Sequence, residues 1–488
     1  MRTLTQGILV LCLLAGSLPG AEPDDDDIQT LRRQIDEQRA QIAQLQKQLE
    51  AQSSLLDRLA QSAPAPQQTA AAVAATKPSP AADAPSVAGF RFSGDFRLRL
   101  DAQLRSGNDF AAPLQNVRGR YRVRLNIDKT VDPRFRFHMQ LSTGPYNNPI
   151  TNDQDMGGIN AKVPFSIAEA YVDYLPDSRV TLRAGRMEEV FADNMRFLWD
   201  DDVRFSGFSQ KLVQPLAKNP LGFTSVELRA GEYILSNPAV YLLPSSSPYV
   251  SAGYQVGQKV RGAGLFHPGV VIKGNLGSRW SQQIVGAVAL YRNPNQIQLA
   301  STAAGFPVLV NSALGFALSG PVGGAGNATT TAGGAMFSAP DFHVSHLGYR
   351  LERKGLTVAG KEMPAWLDFQ VARNHGAPSL RDAFMASANL GSVSKAGDTR
   401  LLYQFAIKDA NSMISQFTDD DLGTGSGVNV AVHAFRFDLG LTRFLQWQNL
   451  VFLQHQRRAT DPSAQFFVPL GRGANQTVRY LGQLAFAF

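Results

Sequence analysis

Three stretches near residue 100 alternate with period two, and that pattern restricts the fold more than any other feature of the chain. Phe90, Phe92, Phe96, Leu98 and Leu100 take even positions, while Arg91, Ser93, Asp95, Arg97, Arg99 and Asp101 take odd ones. Val117, Tyr121, Val123, Leu125 and Ile127 then alternate with Arg118, Arg120, Arg122, Arg124, Asn126 and Asp128. Phe135, Phe137, Met139 and Leu141 alternate with Arg134, Arg136, His138 and Gln140. Successive side chains of a strand point to opposite faces, so each stretch is a strand with one apolar and one charged face. Leu401, Tyr403, Phe405 and Ile407 repeat the pattern late in the chain, as do Ser345, Leu347, Tyr349 and Leu351.

Such strands suit a soluble sandwich, with the apolar face inside, or a membrane barrel, with the apolar face toward lipid and a wet lumen. Connection lengths favour the barrel. Long segments at 105–116, 143–164 and 188–202 alternate with short turns at 130–133 and 176–178. A barrel of the outer-membrane kind has long loops at one end and short turns at the other. Past the first twenty residues, no run is apolar for the roughly 18 residues a spanning helix needs.

The N-terminal end points to export. Arg2, an apolar run from Ile8 to Leu14 and the small residues up to Ala21 read as a secretory signal over residues 1–21. Cleavage after Ser17 or after Ala21 would fit. Cys12 is the only cysteine and lies in that run, so the exported chain would carry no thiol. Residues 24–60 carry a heptad: Ile28, Ile35, Ile42, Leu49 and Leu56 at one core position, Leu31, Gln38, Leu45, Gln52 and Leu59 at the other. This predicts a periplasmic coiled coil, about 48 Å long over residues 28–59. Residues 61–89 are rich in Ala and Pro and read as a linker. The barrel is expected over residues 90–488.

The last strand places Val478, Tyr480, Gly482, Leu484, Phe486 and Phe488 on one face. A terminal Phe with alternating apolar residues, here Tyr480, Phe486 and Phe488, resembles the C-terminal signal of outer-membrane barrels, which implies recognition by the barrel-insertion machinery. The segments RGRYRVRLNIDKTVDPRFRFHMQLSTG (118–144), NDQDMGG (152–158), AEAYVDYLPDSRVTLRAGRM (168–187) and FLWDDDVRFSGFSQKL (197–212) resemble the putative-porin family of Gram-negative bacteria. The resemblance is most specific over residues 118–212. It implies an outer-membrane diffusion channel, trimeric, embedded in outer-membrane lipid; the small solutes or anions expected to pass are read from the charge of its wall. It does not name a solute. The heptad by itself leans to a dimer.

The fold class expected is all-β: a transmembrane antiparallel barrel of 16–18 strands behind an α-helical coiled coil. A barrel of that size encloses an aqueous channel, and its chemistry is wall charge and width. Arg97, Arg99, Arg120, Arg122, Arg124, Arg134 and Arg136 are expected to form a basic wall. The first 89 residues carry a net charge of −3 and the remainder +10, which favours anions. The third long loop carries Glu188, Glu189, Asp193, Asp200, Asp201 and Asp202. In general porins the third loop narrows the barrel, and the resemblance implies an acidic loop facing the arginines.

No enzyme, metal or cofactor is expected. Asp419, Asp421 and Gly423 have calcium-loop spacing without the glutamate such a loop needs. The seven histidines form no metal pair, and neither a nucleophile elbow nor a Walker loop is present. Arginine interleaved with phenylalanine at period two is explained by the barrel, so nucleic acid is not an expected partner. An alternative role is structural, with the barrel anchoring a periplasmic coiled-coil tether.

Overall fold

The computed structural model describes residues 86–105, 114–144, 150–157, 162–163, 165–217, 220–235, 240–243, 258–259, 262–295, 308–311, 316–319, 327, 337–418, 427–457 and 476–488. The signal segment, the heptad, most of the linker and the 419–423 acidic loop lie outside them.

Sixteen antiparallel strands close into one barrel. In chain order they are Phe90–Arg105, Leu114–Asp132, Phe135–Ser142, Ser166–Tyr174, Val180–Met187, Phe205–Pro215, Phe223–Ile234, Gly264–Leu276, Trp280–Arg292, His343–Val358, Lys361–Asn374, Asp382–Gly391, Thr399–Lys408, Val430–Gly440, Leu445–Gln456 and Gln476–Ala487. Each pairs with the next, and the last pairs with the first from Asp95↔Ala487 to Arg105↔Thr477. The closure removes both sheet edges, which a spanning sheet requires.

The loop asymmetry expected from the sequence is present. Turns at the end carrying the C-terminus are as short as residues 133–134 and 359–360, while the opposite end carries 143–165, 188–204 and 293–342. The short turns are set by local side chains. Asp132 Oδ1 accepts from the Arg134 and Phe135 amides at 2.6 and 3.0 Å, and Asp177 Oδ1 accepts from those of Arg179 and Val180 at 2.6 and 3.1 Å.

The faces are inverted relative to a soluble protein. Leu100 is 47% exposed and Leu347 55%, whereas Arg99 is 7% exposed and Asp101 1%. Trp280, Leu367, Tyr403, Phe435 and Trp447 continue the exposed apolar exterior, and Glu227, Arg229, Gln370, Asp438 and Gln483 the buried polar interior. Apolar residues face the bilayer and polar ones the lumen.

Closure ends on the terminal residue. The Gly94 amide donates to the Phe488 carbonyl at 2.8 Å, and the Phe488 amide to the Gly94 carbonyl at 3.0 Å. A Cβ at Gly94 would meet the Phe488 ring at 2.7 Å, so the ring lies where only glycine leaves room. Phe486 and Phe488 stack on the outer surface with centroids 6.1 Å apart, and the Tyr480 hydroxyl donates to Asn449 Oδ1 at 2.8 Å.

The sheet reaches back into the linker, where Ser86 and Val87 pair with Arg91 and Phe90. Residues 240–243, 258–259, 308–311 and 316–319 form a separate four-stranded sheet that joins two long loops. Asn327 is fully buried between loops: its Nδ2 donates to the Ala410 and Met413 carbonyls at 2.8 and 2.7 Å, and its Oδ1 accepts from the Ser415 amide at 2.8 Å.

Candidate functional site: the charged lumen

The first, second and last strands bring most of the expected arginines together. Their register sets Arg97 opposite Arg122 and Arg99 opposite Arg120. Like charges directly opposite repel, so the wall needs carboxylates, and it has them. Asp95 bonds Arg122 at 2.8 Å and Arg124 at 2.6 Å. Asp101 bonds Arg118 and Arg479, both at 3.0 Å. The remaining like-charge rungs are bridged from a loop: Asp153 contacts Arg97, Arg99 at 2.7 Å and Arg120 at 3.5 Å.

The second long loop delivers Asp153. It leaves the wall after Ser142, and Gln154–Asp155 rejoin it against Tyr121 and Arg120. Asp153 is 1% exposed. Burial pushes its carboxyl pKa up, but Arg97, Arg99, Arg120 and Arg122 outweigh that and hold it well below the ordinary value of 3.8. A docked pKa below the released one means that docking strength is complete above the released value. It is lost only as pH falls through the docked value. The Asp153 bridge is therefore expected to hold as pH drops from neutrality to about 4.5, so the pH dependence of conductance over that range should be the same in Asp153→Asn as in wild type, which bilayer recordings at stepped pH would check.

Arg134 and Arg136 are not in this network. Both are exposed beside the short 133–134 turn, at the rim of the barrel. The strand geometry that turns Arg122 into the lumen carries these two past its end.

The third loop, residues 188–204, folds inside the barrel. Phe191, Met195, Phe197, Leu198, Trp199 and Val203 are buried against lumen-facing Tyr233, Leu265 and His267. Trp199 meets Phe205 edge-on at 5.4 Å, and Lys408 Nζ lies 5.3 Å from the Phe197 ring centroid. The Asp200 amide donates to the Phe417 carbonyl at 2.8 Å.

The six acidic residues of this loop do not act as one group. Asp202 faces the arginine wall: it lies 3.9 Å from both Arg122 and Arg124 and accepts from the Asn152 amide and Nδ2 at 3.0 and 2.8 Å. Glu189 and Asp193 face other strands. Glu189 pairs with His267 Nδ1 at 2.8 Å, and Asp193 with Arg229 at 2.6 Å. Glu188 lies 3.3 Å from Arg204, which also holds Glu169 at 2.6 Å. Asp201 pairs with Arg196 at 2.7 Å within the loop, and Asp200 accepts from the Asp202 amide at 2.7 Å. The loop thus bridges two charged arcs of the wall.

Residues that the sequence pattern did not single out carry much of this arrangement. Asp95 and Asp101 share the face of Arg97 and Arg99, so their alternation marks them as lumenal. Asp153 had only its place in the NDQDMGG segment to mark it. Arg479 is marked, like Asp95 and Asp101, by the apolar alternation around it, whereas Arg229 and His267 had no comparable signal.

The family described as "Putative porin" matches residues 108–235. No curated protein matches the chain. Among solved structures, Pseudomonas putida OprB at high pH is 9% identical, with 82% of this chain and 94% of that one covered, at a TM-score of 0.44. The Salmonella typhi OmpF complex with daunomycin is 7% identical, with 82% and 98% covered, at a TM-score of 0.41. An anion-selective porin from Comamonas acidovorans is 9% identical, with 82% and 99% covered, at a TM-score of 0.39. The resemblance carried by residues 118–212 is thus met by a match to the putative-porin family across residues 108–235 of a sixteen-stranded barrel.

Proposed function

We propose that this chain is an outer-membrane porin giving passive diffusion to small hydrophilic solutes and ions, with a preference for anions. The observation that carries the reading is the closed barrel with an apolar exterior and a charged lumen narrowed by its own third loop. The preference rests on the arginine patch. Arg97, Arg99, Arg118, Arg120, Arg122, Arg124 and Arg479 meet Asp95, Asp101, Asp153, Asp155 and Asp202, leaving two positive charges in excess. Charges lining a narrow, low-dielectric channel bias ion entry by their net sign. Because most are paired, the preference is modest rather than strict.

The test is single-channel recording of the purified protein in a planar bilayer under a KCl gradient. Stepwise conductance with a reversal potential on the chloride side is the expected result. Cation preference would sink the anion reading and keep the channel. A folded barrel that conducts nothing would sink the porin reading.

A further inference from the structure

The outward face of the barrel contains a recess of about 700 Å³, built across the strands from Trp280 to Val451. Ala365 and Ala388 form its floor on neighbouring strands, and bulkier outward residues such as Tyr403 and Phe435 stand around it. Alanine at these two outward positions leaves a hollow between the larger side chains around them. The recess lies toward the end with the short turns, since its rim residues Trp280 and Arg353 pair across the sheet next to the 277–279 and 359–360 turns.

That rim is polar in one place. The Arg353 guanidinium lies 5.3 Å from the Trp280 ring centroid, and its Nε is buried with no hydrogen-bond acceptor. A buried charged donor without an acceptor is costly, so the site is complete only when something supplies one. Two more cations stand at the same level: Arg279 and Lys354 are exposed, and the Lys354 amide donates to the Arg279 carbonyl at 2.8 Å. Tryptophan beside arginine at the edge of an apolar belt marks the headgroup level of a bilayer. Guanidinium binds phosphate oxygens with paired donors.

We propose that this recess seats an acyl chain of a periplasmic-leaflet phospholipid whose phosphate is held by Arg353. The apolar hollow opens to the membrane, and the charge at its rim complements a lipid phosphate. The inference depends on the barrel spanning a membrane and not on its conducting solutes.

The experiment uses the full-length protein purified in a mild detergent. Bound phospholipid is read by native mass spectrometry after incubation with phosphatidylglycerol micelles, with inorganic phosphate alone as a competitor. The expected result is a phospholipid retained by each protomer that inorganic phosphate does not displace. Arg353→Gln should lower its affinity by about ten-fold, the equivalent of one charge-assisted hydrogen bond, and Ala388→Trp, which fills the hollow, should abolish retention. Conductance should be unchanged in Arg353→Gln, which separates failure here from failure of the channel reading. Equal retention by wild type and Arg353→Gln would overturn the proposal, whether or not Ala388→Trp folds. So would displacement by inorganic phosphate, or an oligomer that retains no lipid and dissociates when Ala388 becomes Trp, which would make the recess a contact between copies.

Discussion

Replacing Arg122 and Arg124 together with alanine is expected to abolish the anion preference, bringing the reversal potential in a KCl gradient from the chloride side to near zero. The two guanidinium groups share one carboxylate, Asp95, at 2.8 and 2.6 Å, and both lie 3.9 Å from Asp202 of the inserted loop. Without them the excess of two positive charges in the patch disappears, and Asp95 and Asp202 both lose their nearest cations. The local field then loses its positive bias, because the five carboxylates left in the patch match the five remaining arginines, and the net charge of a confined channel sets its selectivity. The barrel should survive. The first two strands are paired from Phe90↔Lys129 to Arg105↔Leu114, and the lumen supplies water to solvate Asp95. Asp95→Asn should act in the opposite direction and raise anion preference, because it removes the carboxylate and leaves both arginines. If the double alanine variant folds and its selectivity matches wild type, these residues do not set the pore field.

The barrel was legible in the sequence because period-two alternation is a local property. Phe96 and Leu98 against Arg97 and Arg99 fix two faces without any knowledge of the neighbouring strand. Loop lengths are equally local, and they placed the third long loop at residues 188–202, within two residues of where it ends. What a charge meets across the lumen is not local. Glu189 and Asp202 sit thirteen positions apart in one loop, yet one meets His267 on the eighth strand and the other Arg122 on the second. The family resemblance implied that the whole acidic loop would face the arginines. Asp153 shows the same limit from the other side, since nothing near it in sequence indicates that it bridges Arg97 and Arg120. Arg134 and Arg136 share the alternation of the lumenal set but lie where the strand has already reached the rim. Register and position along the strand, which the period does not report, decide that difference.

Truncating Phe191 and Trp199 together to alanine is expected to release the third loop from the lumen and raise single-channel conductance roughly twofold or more, since pore width governs conduction. Two kinds of interaction hold the loop. The polar ones are Asp202 with Asn152, Glu189 with His267, Asp193 with Arg229, and the Asp200 amide with the Phe417 carbonyl. In a watered channel each tether to a carboxylate contributes a net of about 1.5–3 kcal/mol and the amide–carbonyl bond about 0.5–1.5 kcal/mol, because released groups find water instead. The apolar set is larger. Phe191 and Trp199 are 0% and 2% exposed, and both rings pack on His267, with centroids 4.7 and 5.7 Å away. Truncating one buried aromatic residue costs about 3–5 kcal/mol, so the pair outweighs any single polar tether. Asp202→Asn alone should therefore leave the loop seated and change selectivity more than conductance. The strands are untouched in either variant, so heat-modifiable migration of the folded barrel should persist and report on the barrel independently of the loop. Native conductance from the folded double variant would show that the polar tethers, and not the buried aromatic cluster, keep the loop inside.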